Sequence, residues 1–292
     1  MTLPRLEVLV AAILFSTGGA VIKAVTMSAW QVACFRAGIA AVTLLLLVPD
    51  ARRVSRRALV VGVVQAATFV TFVLANRLTT AASAVFLQAT APLWLILLGP
   101  LLLGERSRRG EAPFVVVLFL GVVLLMWGTP VPSATAPDTA LGNVVGVVSG
   151  LMWALTLAGL RWAGREGAKG GSFTAPSATM WGNVMACVVC LPLALPVGAA
   201  SAGDWILLLY LGVVQVGLAY VFLARGLGRI PAVEASLLLL LEPALSPYWA
   251  WLAHGEQPGL LSILGGATIV TATTWRSIRP SRGMRSSRGM RL

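Results

Sequence analysis

The sequence predicts an all-α polytopic membrane protein: ten transmembrane helices in two inverted five-helix repeats, with the N and C termini cytoplasmic. Three observations predict it. Of the 292 residues, 58% are hydrophobic and 11% are charged, whereas a soluble domain carries about 25% charged residues. One stretch of the chain occurs twice. The basic residues crowd into alternate loops.

The duplicated stretch runs from Ala81 to Glu105 and again from Ala232 to Glu256. At an offset of 151 residues, Ala81, Ala84, Leu87, Pro92, Leu101, Gly104 and Glu105 meet Ala232, Ala235, Leu238, Pro243, Leu252, Gly255 and Glu256. Leucines coincide easily in apolar segments. A shared proline and a shared closing Gly-Glu do not, so the pattern reads as an internal duplication.

Ten apolar segments have about the 17–25 residues that a bilayer core requires. They cover residues 6–24, 29–48, 58–76, 80–103, 112–128, 141–163, 176–197, 205–224, 231–253 and 259–275. The first lacks a small-residue cleavage site and is expected to be retained. Residues 1–128 form the first repeat, 129–140 a Pro/Ala/Thr-rich linker, and 141–276 the second repeat. The basic tail 277–292 repeats Ser-Arg-Gly-Met-Arg and is expected to be disordered.

With the N-terminus cytoplasmic, nineteen Lys and Arg fall in inside segments and two, Lys23 and Arg77, fall outside. That is a strong positive-inside bias. It accounts for the net charge of +12 as topology and attraction to anionic lipid, not nucleic-acid binding. Five spans per repeat is an odd number, so the second repeat enters the membrane upside down. Spans 3 and 8 also correspond: Gly62-Val63-Val64-Gln65 recurs as Gly212-Val213-Val214-Gln215, and Phe72 aligns with Phe222. Inverted repeats of this kind build carriers that open alternately to either side of a midplane site.

These features resemble the EamA family of the drug/metabolite transporter superfamily, on the paired A-x-x-A-x-x-L-x(4)-P … L-x-x-G-E stretches and the five-plus-five spans. Within it, the chain most resembles bacterial amino-acid exporters of the YddG type. The resemblance implies that spans 1, 3, 4, 6, 8 and 9 surround a central cavity and that 2, 5, 7 and 10 stand outside. It also implies a multi-pass protein of the bacterial plasma (inner) membrane. The expected partners are a small-molecule substrate and membrane lipid, with no nucleic acid and no cofactor, and the chain is expected to act as a monomer.

Polar groups in hydrocarbon are costly and mark cavities or helix contacts. The candidate substrate-binding residues are Ser16, Gln65, Phe69, Phe72, Gln88, Trp153, Thr156, Gln215, Tyr220 and Glu242. Gln65, Phe69 and Phe72 share one helix face. Amides hold a zwitterion without a full charge, and aromatic faces suit an apolar side chain or a cation. For each residue the alternative is packing or helix–helix hydrogen bonding. Pro92 and Pro243 each remove a backbone donor in mid-span and are hinge candidates. Gly142, Gly146 and Gly150 form a small-residue ridge for close helix approach. Trp30, Trp127, Trp205, Trp249, Trp251 and Trp275 lie near span ends as interfacial anchors. Arg36, inside span 2, is assigned a structural role. Glu105 is expected in surface ion pairs with nearby arginines, and Glu256 has no basic neighbour in sequence.

Glu242 lies close to the middle of span 9, and its repeat partner is Ala91. An ionised carboxylate there is expensive. Three roles stay open: carrying a proton, meeting a substrate ammonium, or satisfying a group freed by the neighbouring proline. An enzyme would need convergent acid–base or metal groups. The chain has one histidine, His254, and Cys187-x-x-Cys190 has no companion pair, so it reads as packing and no metal site is expected. No Walker A motif is present, and the polar residues are too sparse for a channel. The expected function is secondary transport of neutral or aromatic amino acids, in the export direction. Nucleosides or drugs are the alternative cargo.

Overall fold

In lipid every backbone amide must be satisfied within the chain, so apolar runs fold as helices. A computed structural model describes residues 2–103, 111–128, 131–167, 173–198, 200–227, 229–230 and 232–278. Among these residues all the long elements are helical. They are α1 (Leu3–Ser16), α2 (Gly18–Ala24), α3 (Ala29–Leu47), α4 (Arg56–Leu78), α5 (Ala81–Gln88), α6 (Ala91–Leu103), α7 (Ala112–Trp127), α8 (Thr139–Gly167), α9 (Ala175–Ala194), α10 (Ala202–Leu209), α11 (Ala219–Leu227), α12 (Ala232–Leu239), α13 (Leu241–His254) and α14 (Leu260–Ile278). A π-helical stretch, Tyr210–Leu218, joins α10 to α11. Glu105 and most of the basic tail lie outside the described residues.

Helix ends follow local chemistry. Ser28 and Gln31 form a capping box on α3, as do Ser201 and Asp204 on α10. Ser55, Thr80 and Thr174 cap α4, α5 and α9 through their hydroxyls. Each supplies an oxygen to an otherwise orphan N–H. Gly255 ends α13 at φ 64°, the left-handed turn that glycine adopts without penalty.

Seven described segments are long and apolar enough to cross a membrane: Leu3–Ala24, Ala29–Leu47, Arg56–Leu78, Ala81–Leu102, Thr139–Gly164, Ala175–Ala194 and Ala202–Gly226. Ala112–Trp127 and Leu260–Trp275 are shorter apolar helices. α4 lies along α8 and α9, α3 along α9, α1 along α11, and α7 along α14. Leu101 (83% exposed) and Leu46 (66%) turn apolar side chains outward, as a lipid-facing surface does.

Three of the crossing segments are interrupted. α1 gives way to α2 at Thr17, α5 to α6 at Ala89–Thr90, and α10 widens into the π stretch; a fourth break separates α12 from α13 at Leu240. The two breaks in the duplicated stretch correct the expected proline kinks. Pro92 and Pro243 do not interrupt a continuous helix; they sit in the first turn of α6 and α13. A proline there removes an N–H that has no intrahelical partner anyway. The Thr90 hydroxyl donates to the Leu87 carbonyl at 2.6 Å, which occupies one of the acceptors at the break.

The glycine ridge of α8 packs against this region. A Cβ on Gly142 would stand 2.5 Å from the Thr79 nitrogen, and one on Gly150 would stand 2.5 Å from the Leu87 oxygen. Only a hydrogen fits at either place.

Near the C-terminal end of α2, Lys23 forms an ion pair with Glu256 at 2.9 Å, with side chains 1% and 5% exposed. Lys23 also donates to the carbonyls of Thr79 and Thr135. Glu256 accepts from the Ala81 amide at 2.9 Å. Its basic neighbour is therefore 233 residues away in sequence and adjacent in space. Arg77 donates to the carbonyls of Ile22, Val25 and Met27, closing the end of α2 in the way the helix dipole favours. Asp204, buried at the start of α10, accepts from the amide and hydroxyl of Thr26. At its other end, α1 meets α12 through Arg5 and Glu234, a pair 45% and 30% exposed.

Candidate functional site

The helix breaks surround a cavity of about 280 Å³. α5 and α6 bring Gln88 and Pro92 to its wall, and α12 and α13 bring Leu239, Glu242 and Pro243. α4 contributes Thr68, Phe69 and Phe72, and α8 contributes Trp153 and Leu157. The π stretch and α11 contribute Gln215 and Tyr220.

The wall is mostly apolar and carries five aromatic rings, those of Phe15, Phe69, Phe72, Trp153 and Tyr220. Tyr220 meets Phe15 edge-on, with ring centroids 5.2 Å apart, and meets Phe69 at 6.5 Å in the same T-shaped manner. Such edge-to-face pairs hold rings rigidly. Gln215 and Tyr220 are five residues apart, which on an α-helix would point them to different faces. The π stretch, with its i→i+5 hydrogen bonds, widens the turn beneath Gln215, and both side chains line the cavity.

Two amides face the space. Gln88 donates to the Ser149 hydroxyl at 3.0 Å. Gln215 donates to the Phe15 carbonyl at 3.3 Å, and its buried Oε1 has no partner among the described residues. Glu242 has no hydrogen bond or ion pair among the described residues, so the satisfaction of a group freed by Pro243 is not observed there.

Of the sequence candidates, Phe69, Phe72, Gln88, Trp153, Gln215, Tyr220 and Glu242 line the cavity, as do the two hinge candidates. Ser16, Gln65 and Thr156 are buried beside it and are not part of the wall. Ser16 accepts from the Trp249 indole at 2.9 Å, so Trp249 ties α13 to α1 and is no purely interfacial anchor. Gln65 donates to Thr179 at 3.1 Å. Thr156 shares a hydrogen bond with Thr68 at 3.1 Å.

Sequence reasoning missed Arg36. Its place in a peripheral span implies a structural role, yet it lines the cavity from α3. It is 4% exposed, its guanidinium lies 6.0 Å from the Phe69 ring centre, and its Nη1 is buried without a partner. Thr273 of α14 also reaches the wall. Spans 2 and 10 thus each add one residue to the six-span arrangement expected. The signal for Arg36 was present: a lone arginine in an apolar span is a functional candidate by default.

The cysteines are free thiols, with Cys34 and Cys187 sulfurs 3.7 Å apart in the α3–α9 contact. No group of three or more metal-ligating side chains occurs among the described residues.

Comparison with known proteins adds the following. The model of the EamA-like transporter family matches twice, over residues 6–127 and 140–277. The pseudopaline exporter CntI of Pseudomonas aeruginosa is 29% identical over 268 residues, covering 88% of this chain and 90% of the exporter. An uncharacterized transporter of Archaeoglobus fulgidus is 27% identical over 230 residues, covering 78% and 79%. The uncharacterized transporter YdfC of Bacillus subtilis is 28% identical over 201 residues, covering 67% and 62%. A solved crystal structure superposes with a TM-score of 0.59 at 19% identity, covering 92% of this chain and 94% of the other, and so shares the fold.

Proposed function

The chain belongs to the EamA-like transporter family, and from that footing we propose that it exports neutral and aromatic amino acids across a bacterial inner membrane by alternating access. Its membership makes it a multi-pass membrane transporter and not an enzyme. The ten-span topology, the inverted relation of the repeats and the cytoplasmic termini are part of this reading, supported by the arginine asymmetry of the loops.

The observation that carries the substrate class is the cavity wall. It combines Phe69, Phe72, Trp153 and Tyr220 with Gln88, Gln215 and Glu242. Aromatic faces receive an apolar side chain, and the amides and the carboxylate orient the polar end. The size, about 280 Å³, sits near the lower end of the ~300–1,000 Å³ typical of small-molecule sites. Pro92 and Pro243, beside the two breaks, serve as hinges between the two states. The likeness to a pseudopaline exporter supports export as the direction. It also favours a second reading, in which the cargo is a small metabolite of another class.

Proteoliposomes containing the purified chain test both. Counterflow is measured with amino acids, nucleosides and sugar phosphates, with and without a pH gradient. Flux of neutral and aromatic amino acids is expected. Flux of phosphorylated sugars with none of amino acids would sink the proposal.

A further inference from the structure

Arg36 and Glu242 are a basic and an acidic side chain on the wall of one small cavity, and neither has a counter-ion among the described residues. Arg36 stands on α3 in the middle of an apolar span, 4% exposed, with a buried Nη1 that meets no acceptor. No carboxylate lies within ion-pair distance of it among the described residues. Glu242 stands in the first turn of α13, beside the break at Leu240, and it too has no bonded partner there. The two do not pair with each other, yet both lie within electrostatic reach of the Tyr220 phenol. The same wall carries five aromatic rings and the side chains of Gln88 and Gln215.

An uncompensated charge in a low-dielectric site is strongly unfavourable. Two such charges of opposite sign, on one cavity wall and unpaired with each other, are both relieved by a guest that brings a negative group to one and a positive group to the other. Lipid headgroups and inorganic ions do not match a small cavity whose remaining wall is largely apolar. We propose that Arg36 and Glu242 form a two-point clamp that selects zwitterions, with Arg36 receiving the carboxylate and Glu242 the ammonium. Arg36 suits the task because its planar fork binds a carboxylate through two parallel N–H donors. The side chain of the guest then lies against Phe69, Phe72 and Trp153. The Phe69 ring supports the guanidinium from one side and holds it in place when the site is empty. This clamp rests on the amino-acid reading above and deepens it: it names what each end of the substrate touches, and it predicts that removing either charged group from the ligand forfeits most of the affinity.

Calorimetric titration of the purified full chain in detergent micelles tests the clamp with three probes: L-phenylalanine, phenethylamine and 3-phenylpropionate. The native protein is expected to bind phenylalanine at least tenfold more tightly than either of the others. Arg36→Gln is expected to weaken phenylalanine at least tenfold while leaving phenethylamine within twofold. Glu242→Gln is expected to weaken phenylalanine similarly while leaving 3-phenylpropionate within twofold. Arg36→Lys keeps the charge without the fork and is expected to fall between native and Arg36→Gln; it carries the same comparison should Arg36→Gln not be recovered folded. A uniform loss of all three ligands in the variants, or phenylalanine bound as tightly by the variants as by the native chain, overturns the clamp and leaves amino-acid transport standing. A native protein that binds the amine or the acid as tightly as phenylalanine also overturns it. Binding of none of the three by the native protein overturns the clamp together with the reading on which it rests.

Discussion

Glu242 meets no hydrogen-bond donor among the described residues, and the charged and titratable groups lining its cavity are Arg36 and Tyr220. A carboxylate that binds an ammonium and a carboxylate that ferries a proton make different predictions when the charge is removed. Glu242→Gln is expected to weaken a neutral amino acid about tenfold, or ~1.4 kcal/mol, at acid and alkaline pH alike. Exchange retained with its pH-gradient dependence abolished would assign the residue to proton coupling instead. Trp153 tests the apolar end of the same site. Trp153→Ala is expected to reduce aromatic-substrate affinity by about 1–2 kcal/mol, with Trp153→Phe losing less because a ring remains; equal losses in the two would make the indole a spacer. Much at this scale was legible in the sequence, because a Gln, Trp or Glu in an apolar span is conspicuous. What was not legible was direction. Gln65 and Gln215 are equivalent in the repeats, yet one donates to Thr179 and the other faces the cavity. Arg36 was as visible as Glu242. Its span is one that the family resemblance places outside, but an arginine is long enough to reach inward from there.

The elements that build the site are the broken helices and the ridge that holds them. Gly150 of α8 lies against the α5–α6 break, with no room for a methyl group: a Cβ there would meet the Leu87 oxygen at 2.5 Å and the Thr90 hydroxyl at 2.7 Å. Gly150→Ala is therefore expected to destabilise the fold by about 1–3 kcal/mol, measured as a lower unfolding midpoint in detergent. Gly164 on the same helix has nothing within 4 Å of the added atom. Gly164→Ala is expected to leave stability unchanged or raise it by up to ~1 kcal/mol, since alanine is the better helix former. If the two substitutions behave alike, the close approach is not what holds the break. The ridge could be read from the spacing of its glycines. The breaks could not, because a proline marks a first helical turn and a mid-helix kink by the same letter. The π stretch left no mark either: its sequence, Tyr210–Leu218, is as apolar as the α-helices beside it.

Over the whole molecule, α1 and α2 are tied to the helices of the second half by two ion pairs of different character. The Arg5–Glu234 pair is substantially exposed, and such pairs contribute about 0–1 kcal/mol. The Lys23–Glu256 pair is buried, and removing one partner strands the other charge in a dry site. Lys23→Met is expected to cost about 3–5 kcal/mol, and Arg5→Met under ~1 kcal/mol. The double variant Lys23→Met, Glu256→Met strands no charge, but it removes the partners of the Ala81 amide and of the Thr79 and Thr135 carbonyls. Its stability is expected to exceed that of Lys23→Met, because a buried pair and an apolar pair of similar volume are often equivalent, and to stay about 1–3 kcal/mol below the native chain for the unpaired Ala81 amide. Transport is where they should differ. If the two halves rock about the cavity, this contact opens in every cycle. Opening an ion pair returns two charges to water, and their hydration offsets the attraction lost. Opening an apolar contact exposes surface at about 25 cal/mol per Å² with no such return. The double variant should therefore be more stable than Lys23→Met yet several-fold slower than the native chain in proteoliposome exchange, with substrate affinity unchanged. Exchange at the native rate would mean that Lys23 and Glu256 stay together throughout the cycle and that the moving contact lies elsewhere.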